Sequence, residues 1–150
     1  MTKEQRLKIA AMLIAGILTL FVAFWVSYTV QQKRDNFTVQ YTEKLTNLVD
    51  SFYGQYNSGT YGFIYDYMTD SIFHSKITKE QFEGFMAALK ADTGKVELNV
   101  LVGYEWKRGR IGRFCEMRYT VQREKVQTIE GFTIRKENGL WLIVDYEVNI

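Results

Sequence analysis

The spacing of apolar positions changes three times along the chain. From Ile9 to Val30 (IAAMLIAGILTLFVAFWVSYTV) no charge interrupts it. As a helix this run rises about 33 Å, the thickness of a bilayer's hydrocarbon core. Lys8 precedes it, Lys33 and Arg34 follow it, and Trp25 and Tyr28 stand near its end, where amphipathic rings settle at an interface. It reads as a single membrane-spanning anchor. The competing reading is a cleaved signal peptide, but the run exceeds the usual apolar core of one, and Ala23-Phe-Trp-Val-Ser-Tyr offers no small-x-small cleavage site.

Beyond the anchor, Phe37, Tyr41, Leu45, Leu48, Val49 and Phe52 recur at helical spacing to about Tyr56, and Asn57-Ser58-Gly59 ends the helix. A short aromatic segment, Tyr61 to Met68, follows. Thr78-Lys-Glu-Gln81 then forms a capping box ahead of Phe82, Phe85, Met86 and Leu89, a third helix stopped by Asp92-Thr-Gly94. From Lys95 the period becomes two. Val96, Leu98, Val100, Val102, Tyr104 and Trp106 fall on one face of a long strand, with Glu97, Asn99 and Glu105 on the other. Lys107 to Gly112 is a turn-rich connection, and Cys115, Met117, Tyr119 and Val121 alternate in the second strand. In the third strand, 126–136, Ile129 and the pair Phe132/Ile134 have opposite parity, which predicts a bulge near Gly131. Asn138-Gly139 signals a hairpin, and Leu142, Val144, Tyr146 and Val148 alternate to the end. The pattern predicts an α+β chain: a basic tail (1–8), a transmembrane helix (9–30), a link (31–37), and a domain (38–150) of about three helices followed by a four-stranded antiparallel meander.

Length and composition narrow the chemistry. The 150 residues suit one domain of ordinary size, and a single cysteine and a single histidine exclude both an internal disulfide and a Cys/His zinc site. No metal or cofactor is expected. The net charge of +2 comes from Lys3, Arg6 and Lys8 against Glu4, and from residue 31 onward sixteen Lys/Arg meet sixteen Asp/Glu. Without a basic surplus the domain is not expected to bind nucleic acid. Lys/Arg counts are level on the two sides of the anchor, but the tail is dense in cations, whereas Asp35 and Glu43 dilute the far side. The expected topology is therefore single-pass in a cell inner membrane, N-terminus cytoplasmic, domain periplasmic or extracellular. Within the anchor, Ala11, Ala15, Thr19, Ala23 and Ser27 form a small-xxx-small series that suits helix packing with other membrane subunits or with itself. A four-residue step drifts about 40° per repeat, so the five positions do not all share one face.

The order of elements, the Gly94-Lys-Val entry into the first long strand and the closing Asn138-Gly-Leu-Trp-Leu-Ile-Val-Asp-Tyr-Glu-Val resemble the nuclear transport factor 2-like superfamily over about residues 38–150. The resemblance implies a cone of curved sheet wrapped around helices. Its members anchored by one N-terminal helix include the bitopic assembly component of type IV secretion systems and bacterial envelope proteins. The anchor, the small-residue series and the absence of a convincing catalytic set point to a non-enzymatic, membrane-anchored accessory or assembly subunit of a bacterial envelope complex, acting through protein contacts. Enzymes with this cone place an Asp/His or Asp/Tyr set inside it, so the alternative is a membrane-tethered small-ligand binder or lyase/isomerase-like enzyme, with Tyr119, Glu130 and Tyr146 as its candidate pocket.

Single residues are weighed on the same terms. His74 lies among Ser71, Ser75 and Thr78 in a stretch that reads as an exposed loop. Asp66 and Asp70 are four apart, as a carboxylate pair would be, yet read better as a solvated helix edge and a turn residue. Glu130 faces the interior if its strand is regular and the outside if Gly131 bulges; the bulge is favoured because it also buries Ile129. Cys115 reads as a small core hydrophobe, and the aromatics between Phe52 and Phe73 as core filling, with a pocket wall as the alternative. Lys107, Arg108, Arg110 and Arg113 make a basic tip, suited to anionic lipid or an acidic partner, or serving only as a solvated turn.

Overall fold

A computed structural model describes the backbone of residues 3–110 and 112–149 and the side chains of 22–31, 41–110 and 112–149. In order, the elements are α1 (Lys3–Ser58), α2 (Tyr61–Met68), α3 (Ser71–Lys76), α4 (Lys79–Thr93), β1 (Val96–Gly109), β2 (Gly112–Arg123), β3 (Gln127–Glu137) and β4 (Leu140–Asn149). The chain divides into two units, residues 1–43 and 44–150. The α+β order and the antiparallel meander β1-β2-β3-β4 are those the pattern predicts.

Local signals account for most boundaries. The Thr78 hydroxyl accepts from the Gln81 N–H, while the Gln81 side chain accepts from the Thr78 N–H, so the capping box starts α4. Asn138 and Gly139 both take positive φ (49° and 88°), the combination a two-residue hairpin turn requires. The segment read as a loop around His74 is instead α3, giving four helices where three were expected. Asp70 caps it by accepting from the Phe73 N–H at 2.8 Å. Beside it, Thr69 bridges in parallel to Ile143 and the Asp70 N–H donates to the Ile143 carbonyl at 3.0 Å, which covers part of the β4 edge.

The core lies between the helices and one face of the sheet. Leu45, Val49, Phe52 and Tyr56 of α1 and Phe82 and Met86 of α4 are buried, as are Cys115, Met117 and Val121 of β2 and Phe132 and Ile134 of β3. Phe52, Tyr53, Tyr56, Phe73 and Phe82 fill this space, with Phe52 edge-on to Phe132 at 5.1 Å and Phe73 to Phe82 at 5.4 Å, whereas Phe63 and Tyr67 stand exposed.

Three strand faces differ from the simple alternation. β1 shifts register between Val96 and Leu98 and again between Leu101 and Gly103. The two shifts turn Leu98, Val100 and Val102 outward, at 59%, 50% and 63% exposure, and bring Asn99 and Leu101 opposite the buried Val121 and Tyr119. Asn99 donates there to Asp50 at 2.8 Å. β3 has no bulge at Gly131: its pairing with β2 is unbroken from Gln127 to Arg135. Thr128, Glu130, Phe132 and Ile134 therefore face inward and Ile129 is left half exposed. The irregularity sits instead on β4, opposite Thr133/Ile134, where both Ile143 and Val144 are buried.

Two glycines give opposite expectations. Gly54 is exposed within α1 with no atom near an added Cβ, so Gly54→Ala should stabilise the domain by about 1 kcal/mol. Gly94 has φ +85° and an added Cβ would stand 2.6 Å from Glu124 Cβ, so Gly94→Ala should destabilise it by more than about 1 kcal/mol. Urea denaturation of the two variants measures both signs.

Candidate functional site

Carried one step beyond Val121, the inward alternation of β2 reaches Arg123, and the same alternation on β3 reaches Glu130. Both side chains are fully buried. Glu130 Oε1 accepts from Arg123 Nε at 2.9 Å and Nη2 at 2.7 Å and from the Thr128 hydroxyl at 2.6 Å. Its Oε2 accepts from the hydroxyls of Tyr53 on α1, at 2.9 Å, and Tyr146 on β4, at 2.6 Å. A carboxylate offers about four lone-pair sites, and these five donors occupy them. Nη1 of Arg123 reaches the Thr93 hydroxyl at 3.4 Å, and its guanidinium carbon stands 4.7 Å from the centre of the Tyr56 ring.

This arrangement corrects the expectation for Glu130. Burying a lone carboxylate is costly, and the expected bulge would have kept Glu130 outside while burying Ile129. Arg123, the Thr128 hydroxyl and the two tyrosine hydroxyls offset that cost, so Ile129 is the residue left outside. The missed signal was the parity of Arg123, which continues Cys115, Met117, Tyr119 and Val121.

The cluster is built to hold charge in place. Burial and then the Glu130 charge hold the Tyr53 hydroxyl in its neutral form, well above the ordinary phenol range, and act on Tyr146 in the same order. Burial is the largest single influence on Arg123 and works against its charge, but Glu130, Tyr146 and Tyr56 together outweigh it and the net shift is upward. Glu130 and Tyr146 are thus joined. Tyr119, the cross-strand neighbour of Glu130, packs its ring edge-on to Phe132 at 5.8 Å, and its buried hydroxyl makes no hydrogen bond. Both Glu130 oxygens are thus engaged within the cluster.

The other candidates are dispersed. His74, on α3, stacks on Tyr65 (4.3 Å, 17°), and its Nε2 lies 2.8 Å from the Thr69 hydroxyl and 2.9 Å from the Tyr65 carbonyl. Asp66 pairs with Lys79 at 2.5 Å, whereas Asp70 is buried and bound by Arg135, so the two carboxylates serve different elements. Among the described residues no group of three or more His, Cys, Asp or Glu is placed to hold a metal. At the basic tip Lys107 pairs with Glu116 and Glu105, and Arg113 lies over the Trp106 ring at 5.1 Å. Arg108 and Arg110 are exposed.

The outer sheet face carries an open cleft of about 780 Å³. Its floor is the cross-strand row Gly103, Arg118, Gly131 and Glu147, in which two residues without side chains flank an exposed arginine. The exposed Val102 and Ile129 border it.

In the first unit, Val22, Phe24, Trp25, Val26, Tyr28 and Val30 are each more than half exposed. At 100° per residue they surround the helix except for a sector held by Ala23 and Ser27. The Thr29 hydroxyl is bound back to the carbonyls of Trp25 and Val26 at 3.1 and 3.0 Å. Ala11, Ala15 and Thr19 lie outside the described residues, as do the side chains of 9–21 generally. Among the described residues no helix is long and apolar enough to cross a membrane. No protein-family model, curated protein or solved structure matches the chain.

Two outcomes test the cluster. Arg123→Met leaves the Glu130 charge buried without a cation and should cost about 3–5 kcal/mol in urea denaturation, while Arg123→Met with Glu130→Leu should cost far less than the two single variants added together. Alkaline pH tests the buried acids. Burial pushes the Cys115 thiol from 9.0 up to about 11. Between those values the unfolded chain releases the proton first, so stability is full below pH 9 and falls as pH rises to 11. The raised tyrosines extend the fall in the same direction. Denaturation midpoints should drop across this window, and Cys115→Ala should flatten the drop.

Proposed function

We propose that the chain is a non-enzymatic, single-pass accessory or assembly subunit of a bacterial envelope complex. Residues 9–30 form its anchor in the inner membrane, with the N-terminus cytoplasmic. Residues 38–150 form a nuclear transport factor 2-like domain, periplasmic or extracellular, that works through protein contacts. The observation that carries this reading is the apolar exposure around α1 at residues 22–30: a helix apolar around most of its circumference suits lipid or a protein interior. The back-bonded Thr29 hydroxyl suits the same surroundings. The sector of Ala23 and Ser27 offers a face for close helix packing. The saturated Glu130 carboxylate supports a role for the domain's outside over chemistry within it.

Membranes from cells expressing the chain at native level provide the test. The chain should resist alkaline carbonate extraction, its C-terminal domain should be cut by protease added outside the inner membrane, and membrane partners should co-purify with it in mild detergent. Ala23→Leu with Ser27→Leu should reduce that co-purification while leaving insertion intact. Release by carbonate, or a partner-free monomer, would overturn the reading.

A further inference from the structure

The hairpin tips at one end of the sheet gather cations and indoles, and the path of β1 says which end that is. Asn57 of α1 exchanges hydrogen bonds with the Val96 backbone at 2.8 and 2.9 Å, and Asp50 accepts from Asn99 at 2.8 Å. From Asn57 back to Asp50 the helix covers about 10 Å, as does the strand from Val96 to Asn99. β1 therefore runs back along α1 towards Lys44, and the β1–β2 turn lies at the end of unit 44–150 where the chain enters it. In a meander the β3–β4 turn lies at that same end.

Arg108 and Arg110 on the β1–β2 turn are exposed and make no ion pair among the described residues. Behind them Lys136 stands 5.9 Å over the Trp141 ring, and Trp141 meets Trp106 at 5.8 Å. The nearby acids are already engaged: Glu105 and Glu116 by Lys107, Glu137 by Arg135 and Ser71. Leu140, on the neighbouring turn, is 65% exposed. Uncompensated cations beside an exposed aliphatic side chain at one edge are the chemistry of a headgroup interface, while Trp106 and Trp141, partly buried against the core, fix the two tips beneath them. An acidic protein surface would use the cations and leave Leu140 without a role.

We propose, resting on the membrane-anchored reading above, that this end of the domain docks on an anionic lipid surface, with Arg108 and Arg110 contacting the headgroups and Leu140 entering the interface.

The test uses the full chain in vesicles with an environment-sensitive label at Leu140→Cys in a Cys115→Ala background. Gln127→Cys, at the other end of the sheet, is the control. In phosphatidylcholine mixed with phosphatidylglycerol the Leu140 label should report an apolar interface and the Gln127 label water. Pure phosphatidylcholine, or high salt, should return the Leu140 label to water. Arg108→Glu with Arg110→Glu should lower the docked fraction roughly tenfold or more, since each cation near such a surface matters independently. Thermal melting of that variant, unchanged because both residues are exposed, separates lost docking from lost folding. A label that stays in water on anionic vesicles, or that responds equally on neutral ones, overturns the proposal. So does an acidic protein that co-purifies through Arg108 and Arg110 while the label ignores lipid. Carbonate extraction of the same vesicles separates the two readings. If the chain is retained and the label is silent, only the docking fails. If the chain is released, the anchor fails, and flotation with anionic but not neutral vesicles, lost on charge reversal, then decides the docking alone.

Discussion

The domain is organised around one buried ion pair. Arg123 closes β2, Glu130 sits inside β3, and their contact draws in Tyr53 and Tyr56 from α1, Thr93 from the end of α4 and Tyr146 from β4. A pair taken out of water gains little net stability, because desolvation offsets most of the attraction. What it supplies here is selection among alternatives. Slipping β3 by one residue would carry Glu130 to the outer face and leave the guanidinium buried with no anion. The β2–β3 register, and with it the faces of Phe132 and Ile134, is therefore tied to this contact more firmly than apolar patterning alone would tie it.

Where local chemistry decided an element, the sequence was sufficient. Thr78 and Gln81 announce α4 through a reciprocal cap, Asn138-Gly139 announces its turn through two positive φ angles, and the order of helices and strands follows from the change of period. The failures share a different cause: each depends on a partner in another element of the fold. α3 forms where Asp70 caps Phe73 and joins the edge of β4, more than 70 residues later. β1 reads as one regular strand because a register shift has no residue type of its own, and Val is as acceptable outside as in. Glu130 reads outward because a bulge at Gly131 also buries Ile129. The guanidinium that makes an inward Glu130 acceptable is seven residues away across a hairpin, visible only by extending the parity of β2 past its last apolar residue.

The same arrangement divides the molecule's polar groups by accessibility. Inside, the acceptors and donors of the Glu130 cluster are spent on one another, and Tyr119 contributes its ring and no hydrogen bond. Outside, among the described residues, stand the outward aliphatics of β1, the arginine between two glycines on the sheet, and the exposed Arg108 and Arg110 of the β1–β2 turn.

β1 is an outer strand of the meander, fourteen residues long, with exposed Leu98, Val100 and Val102. A strand of that length and apolarity would ordinarily template pairing with another chain and seed aggregation. The two register shifts divide it. Between them lies only Leu98 to Leu101, and the stretch from Gly103 onward carries Glu105, Lys107 and Arg108. A foreign strand laid along this edge meets a broken ladder on one side and fixed charges on the other. The irregularity that makes β1 hard to read from its residues is thus also its protection against fibril growth.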